Sequence, residues 1–232
     1  MRYMGSKNRI AKHILPIMLA ERKPNQWWVE PFVGGANMID KVVGNRMGND
    51  SHEFLIALLV ALRDGYIPPP DIGKELYYAI KSKPQEYPKE LVGFVGFLCS
   101  FGGKWWGGYA FDKKGDNYAE RGSRCLVKQA KNFDGIVFKS GSYLALEIPE
   151  NSLIYCDPPY ANTCKYKDYF NHDIFWDWCR TKTKSGHTVF ISEYSAPNDF
   201  VCVKEIRHKT ILDKNSQYPR IEKLFRYKHE NL

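Results

Sequence analysis

A chain of 232 residues with 44% hydrophobic and 15% aromatic side chains can bury one substantial core, which excludes a disordered polypeptide. No run of about 18 apolar residues occurs, which excludes a membrane-spanning helix, and the start MRYMGSKNRI lacks the apolar stretch of a secretory leader. Lys and Arg total 34 against 26 Asp and Glu, and the resulting +8 suits a polyanionic partner without selecting one.

In chain order, Ile10, Ile14, Ile17 and Met18 fall at helical spacing, with Pro16 expected to bend the helix. A short apolar run, Trp27 to Phe32, reads as a strand and leads straight into Gly34-Gly35. A helix carrying Met38, Ile39, Val42 and Val43 is expected next, then a second strand ending at Asn49-Asp50, then an apolar helix from Phe54 to Leu62 stopped by Gly65. From Tyr66 the character changes to helices and loops, including the glycine- and aromatic-rich Gly102–Ala110. Strand signals return at 136–138, 153–155 and 188–191, with a helix over His172–Lys182 and a closing strand over Ile221–Tyr227. Strands alternating with helices imply an open, mostly parallel α/β sheet. Residues 1–65 and 134–232 are expected to form that α/β domain, and 66–133 a mostly helical insert.

Three local patterns carry chemistry. Asp157-Pro158-Pro159-Tyr160 directly follows the apolar run Leu153–Cys156, and open α/β sheets bind ligands beyond the carboxyl ends of their strands. The prolines fix the backbone and leave acceptor carbonyls, so a carboxylate, a rigid carbonyl and an aromatic face together suit a planar ring bearing an amino group. Glu30-Pro31-Phe32-Val33-Gly34-Gly35-Ala36 forms a strand-to-helix turn where glycines admit a ligand, although a tight structural turn explains it equally. Its spacing is not GxGxxG, which disfavours a nucleotide-dependent dehydrogenase. Asp50 closes the second strand, where an acid can bind ribose hydroxyls or simply cap the following helix. The six cysteines (99, 125, 156, 164, 179 and 202) show no zinc spacing, so no metal is expected and they read as small apolar residues rather than disulfides or ligands.

Taken together, these residues resemble the Dam-type (D12 class, alpha group) DNA adenine-N6 methyltransferases. Tyr3-Met4-Gly5-Ser6-Lys7 is similar to that family's aromatic-to-lysine start, Glu30–Ala36 to its glycine loop, Asn49-Asp50 to its acid, and Asp157–Tyr160 to its catalytic loop. Val137–Tyr143, Phe190–Ser192 and Ile221–Tyr227 resemble the neighbouring strands. The chain departs at Ala36, where a glycine is commoner, and at GGKWWGGYA (102–110), where the family carries a base-reading segment; no target sequence carries over.

The resemblance implies a Rossmann-like S-adenosylmethionine-dependent methyltransferase fold in which the insert 66–133 recognises double-stranded DNA. It implies S-adenosylmethionine as cofactor, held by Tyr3, Lys7, Glu30, Phe32, Gly34, Gly35, Asp50 and Asp157. Asp157, Pro158, Pro159 and Tyr160 would act on N6 of a flipped-out adenine. In the insert, Lys104, Trp105, Trp106, Lys113, Lys114, Arg121 and Arg124 suit DNA, while packing accounts equally for the two tryptophans. The basic tail (Lys204, Arg207, Lys209, Lys214, Arg220, Lys223) is either a solvated face or a phosphate contact. A cytoplasmic protein of a prokaryotic or phage-infected cell is expected, with no membrane association and no obligatory protein partner. Cytosine-N4 methylation, an RNA target and a catalytically silent DNA-binding relative remain alternatives.

Overall fold

The computed structural model describes residues 1–111, 117–160, 170–208 and 220–228. By its contacts the chain divides into two compact units, Met1–Arg9 with Val33–Leu146, and Ile10–Phe32 with Glu147–Leu232. Among the described residues no helix is long and apolar enough to cross a membrane.

The first unit contains two parallel strands, β2 (Arg46–Asp50) and β3 (Ile136–Ser140), paired from Arg46 opposite Ile136 to Asp50 opposite Ser140. The buried Arg46 guanidinium donates to the Asn132 and Asp134 carbonyls and so fixes the turn that feeds β3. Four helices complete the unit: α2 (Glu53–Arg63), α3 (Lys74–Ser82), α4 (Lys89–Leu98) and α5 (Tyr118–Ala130). Every residue of α4 from Val92 to Leu98 is buried, and α4 packs on α2. Gly96 has a packing reason, since a Cβ there would lie 2.2 Å from the Trp105 ring. Helix α5 is amphipathic: Ala119, Gly122, Leu126 and Gln129 are buried at helical spacing, and the Asn117 side chain caps its start at 3.0 Å from the Glu120 N–H.

The second unit contains helices α1 (Ala11–Ala20) and α6 (His172–Lys184) and five strands in the order β1-β4-β5-β7-β6. These are β1 (Trp28–Glu30), β4 (Leu153–Cys156), β5 (Thr188–Glu193), β6 (Phe200–His208) and β7 (Arg220–Tyr227). Strands β1, β4 and β5 run parallel, whereas β7 is antiparallel to both β5 and β6. All four residues of β4 are buried, as an unbroken apolar run covered on both faces should be. The crossover from β4 to β5 passes through α6, which starts on an Asn171 cap, 3.0 Å from the Ile174 N–H. The expected α/β, Rossmann-like architecture is present.

Two expectations fail. No helix follows the glycine loop: residues 37–43 make turns and a single 3-10 turn at Ile39–Lys41, and Val42 is extended with Val43 exposed. Positive φ at Gly34, Ala36 and Gly44 brackets too few residues to repay helix nucleation. Strand β6 begins before the stretch read as a basic tail and runs into it, taking in Lys204 and Arg207. Among its described side chains only Phe200 is buried, Val201 and Val203 are exposed, and a bulge at Cys202/Lys204 breaks the alternation that would have revealed a strand. Lys223 of β7 pairs with Glu205 of β6 at 3.4 Å, while Lys209 and Lys214 lie outside the described residues.

Candidate functional site

In the first unit the glycine loop is shaped from three sides. Asp50, at the carboxyl end of β2, accepts from the Gly34 N–H at 3.1 Å through one oxygen and from the His52 N–H at 3.0 Å through the other. Burial raises its pKa above the usual carboxylate value, and the main-chain N–H groups around it oppose that shift without cancelling it. The helix α2 is capped by His52, whose side chain accepts from the Leu55 N–H, so Asp50 does not take the N-cap position. Tyr3 supplies the second side: a Cβ on Gly34 would come within 2.9 Å of its ring and one on Gly35 within 2.8 Å of its Cβ. Close approach to Tyr3 thus demands both glycines, and the left-handed φ of +48° at Gly34 demands one of them again. The Tyr3 ring rests in turn on Phe97, with centroids 5.4 Å apart. The third side is the Gln129 carboxamide, which donates to the Gly35 and Ala36 carbonyls at 3.1 Å each. Lys7 is nearly buried, with its ammonium 3.2 Å from the Gly5 carbonyl.

In the second unit Glu30 is buried at the end of β1 and accepts from the Trp28 indole N–H at 2.7 Å. The two are alternate residues of one strand, so their side chains share a face. Phe32 meets Phe170 and Phe175 edge-on at 5.7 and 5.8 Å. Asp157-Pro158-Pro159-Tyr160 leaves the carboxyl end of β4 with Pro158 buried and Pro159 exposed. The Tyr160 hydroxyl donates to the buried Glu222 carboxylate on β7, and its ring stands perpendicular to Tyr194 at 4.7 Å. Burial, together with the charges of Asp157 and Glu222, holds the Tyr160 phenol well above its ordinary pKa. Tyr155 is likewise pushed up by burial and by Asp157, and its hydroxyl bonds Ser192 at 2.9 Å. Sequence reading missed Glu222, since only the β5–β7 pairing brings that part of the chain to the loop after β4. The second unit therefore contains a group of acids (Glu30, Asp157 and Glu222) set among neutral hydroxyl and indole donors.

The proposed DNA contacts separate into two kinds. Trp105 is a packing residue, 4.2 Å from His52, 4.8 Å from Phe97 and stacked on Phe54 at 5.7 Å, and Trp106 lies edge-on to Tyr77 at 5.3 Å. Lys104 and Arg124 are exposed, and Arg124 is 3.8 Å from Glu120. The Arg121 guanidinium lies over the Tyr118 ring at 4.5 Å, joined by Arg2 at 4.9 Å. The exposed Phe101 stacks on the same Tyr118 at 6.5 Å. Arg2, Tyr118 and Phe101 were not foreseen, since nothing in their spacing brings them together. Lys113 and Lys114 lie outside the described residues. Among the described residues no group of three His, Cys, Asp or Glu side chains is placed to hold a metal ion.

Residues 3–93 match the family model of the D12 class N6 adenine-specific DNA methyltransferases. That match takes in β1, the glycine loop, β2 and helices α2 and α3. No curated protein matches the chain. Among solved structures it is similar to SMU.472, described as "a putative methyltransferase complexed with SAH", at 13% identity and a TM-score of 0.43, covering 98% of this chain and 54% of that one. The chain thus spans about half the length of that protein. It is also similar to a ribosomal protein L11 methylase from Lactobacillus delbrueckii subsp. bulgaricus, at 11% identity and a TM-score of 0.39, over 96% of this chain and 79% of that one. A third likeness is to a "predicted N6-adenine-specific DNA methylase" from Listeria monocytogenes str. 4b F2365, at 11% identity and a TM-score of 0.39, over 96% and 51%.

Proposed function

We propose that the chain transfers a methyl group from S-adenosylmethionine to N6 of an adenine flipped out of double-stranded DNA. The observation that carries this reading is the Asp157–Tyr160 loop at the carboxyl end of buried β4, with its tyrosine hydroxyl fixed by Glu222. An exocyclic amino group is a poor nucleophile because its lone pair is conjugated with the ring. Asp157 and the Pro158 carbonyl accept its two hydrogens, which favours a pyramidal nitrogen with its lone pair free to attack; such acceptors act because they are preorganised. Tyr160 stacks on the extruded base, a contact worth about 1–3 kcal/mol.

The residues fit the cofactor. The methyl sits on a sulfonium that is already an activated leaving group, so the protein contributes alignment. In the first unit Asp50 would take the ribose hydroxyls and Gly34 and Gly35 would let the backbone approach, beside Tyr3 and Lys7; in the second, Glu30 would take the methionine ammonium, beside Phe32. A cationic donor is favoured by the Glu30, Asp157 and Glu222 carboxylates, although the chain as a whole carries +8. DNA binding falls to residues 66–133, through Lys104, Arg121 and Arg124 with Arg2 beside them, since a basic, partly aromatic surface neutralises phosphates and offers faces for stacking. The packing contacts of Trp105 with His52 and Phe54 at the start of α2, and with Phe97 of α4, give it a structural role rather than a DNA contact.

The test is incubation with unmethylated genomic DNA and labelled S-adenosylmethionine, followed by digestion to nucleosides. Label is expected in N6-methyladenine and lost in Asp157→Ala. Label in N4-methylcytosine would keep the chemistry and overturn the adenine assignment. Label in neither, with the cofactor bound, would overturn the reading.

A further inference from the structure

We propose that Gln129 of α5 is a positioning residue that holds the glycine loop in its ligand-binding shape and compensates for Ala36. This inference rests on the reading that the loop binds the cofactor. The buried face of α5 otherwise carries Ala119, Gly122 and Leu126 and one further polar side chain, Ser123, whose hydroxyl donates to the Pro68 carbonyl at 2.6 Å and does not reach the loop. A buried carboxamide is costly unless satisfied: the Met1 ammonium donates to the oxygen of this one, and the loop accepts from its nitrogen. Its amide nitrogen lies 3.1 Å from the Gly35 carbonyl, 3.1 Å from the Ala36 carbonyl and 2.9 Å from Asp40 Oδ2.

The bonds fall where the backbone needs them. Ala36 has a φ of +54°, a left-handed conformation that a Cβ disfavours, and it is completely buried. Left to itself the 35–37 segment would relax toward negative φ, rotating both peptide planes. Because a trans peptide is planar, drawing the Gly35 and Ala36 carbonyls toward α5 directs the N–H groups of Ala36 and Asn37 the opposite way. The Ala36 N–H already closes the turn onto the Val33 carbonyl at 2.9 Å, which agrees with that orientation. Carbonyl oxygens drawn to α5 are also kept from facing a bound anionic group. A glycine at 36 would hold this conformation without help; the alanine holds it because Gln129 is there.

The test compares wild type, Gln129→Met, Ala36→Gly and the double variant by two readouts. The first is amide hydrogen exchange of residues 34–37 in the ligand-free protein. The second is the affinity for S-adenosylhomocysteine, measured by calorimetry. Met keeps the side-chain volume and removes both donors, together with the oxygen that accepts from the Met1 ammonium; only the loss of the donors can be rescued by Ala36→Gly. Exchange in the loop should rise in Gln129→Met and affinity should fall about tenfold, the effect of losing a pair of modest hydrogen bonds. Adding Ala36→Gly should return exchange to the wild-type rate and affinity to within about threefold. Unchanged exchange in Gln129→Met overturns the proposal. So does a loss that Ala36→Gly leaves in place, because a purely structural glutamine would lower the melting temperature without being rescued from the loop. If the wild type itself fails to bind S-adenosylhomocysteine, the cofactor reading fails, while the exchange data still decide whether Gln129 sets the loop.

Discussion

Around the candidate site the two compact units use their polar side chains differently. In the first, Asp50, Gln129 and Asn49 bond to main-chain groups of Gly34, Gly35, Ala36 and Gly141. In the second, side chains bond one another: Trp28 with Glu30, Tyr155 with Ser192, and Tyr160 with Glu222. The first arrangement shapes a backbone, so its value lies in where peptide groups point. The second builds a buried field of acids and hydroxyls, so its value lies in charge and proton position.

The largest expected effect tests the electrostatic half. Asp157→Ala should reduce methyl transfer by on the order of 100- to 1,000-fold, as removal of one preorganised group commonly does, while S-adenosylhomocysteine affinity, measured alongside, changes far less. Next comes the Tyr160–Glu222 pair. Glu222→Leu leaves a buried phenol without its acceptor and should cost about 1–3 kcal/mol in urea unfolding. Combining it with Tyr160→Phe should recover part of that loss, since removing both partners strands neither; a purely additive pair would remove Glu222 from the network.

The backbone-shaping half breaks by crowding. Gly35→Ala places a Cβ 2.8 Å from both the Tyr3 Cβ and the Asn37 side chain, and should cost about 1–3 kcal/mol of stability. A variant of unchanged stability would show that the contact does not shape the loop.

The smallest effect applies to both units. His52 accepts the Leu55 N–H at 3.3 Å, and His187 accepts the Ser152 N–H at 3.1 Å, each through Nδ1, so both need a neutral imidazole. Burial lowers both pKa values, helped at His187 by Lys182. With the folded pKa depressed, this stability is complete above the ordinary histidine value and is lost as pH falls through the lowered one. Urea titrations across that range should show about 1 kcal/mol lost on acidification, reduced in His187→Gln. A flat profile would mean that neither imidazole bond matters.

Much of this was legible in the chain because its signals are local. A buried parallel strand reads as an apolar run, and both Leu153–Cys156 and the tetrapeptide after it are contiguous; so are the glycine loop and the strand ending at Asp50. The helix expected after Gly35 was misread because the apolar residues 38–43 fit its period, while the positive φ at Ala36 and Gly44 that leaves no room for it is not a matter of periodicity. Strand β6 escaped because its pattern is set by its β7 partner and a bulge rather than by a buried face. Trp105 had two readings until Gly96, His52 and Phe54 were seen around its ring.

By itself the sequence determined the alternation of strands and helices, the position of the acid-proline-tyrosine loop after a buried strand, and the glycines that admit a close backbone. Each follows from residues within a few positions of one another, where spacing and steric preference decide. Only the tertiary structure decided that Glu222 meets Tyr160 across 62 residues, and that Gln129 reaches the loop carbonyls of Gly35 and Ala36 across 94 and 93. It also decided that Arg2 and Arg121 share the Tyr118 ring. Such contacts form only once the core has brought distant segments together, and the loop-closure entropy they require is met by apolar burial elsewhere in the chain.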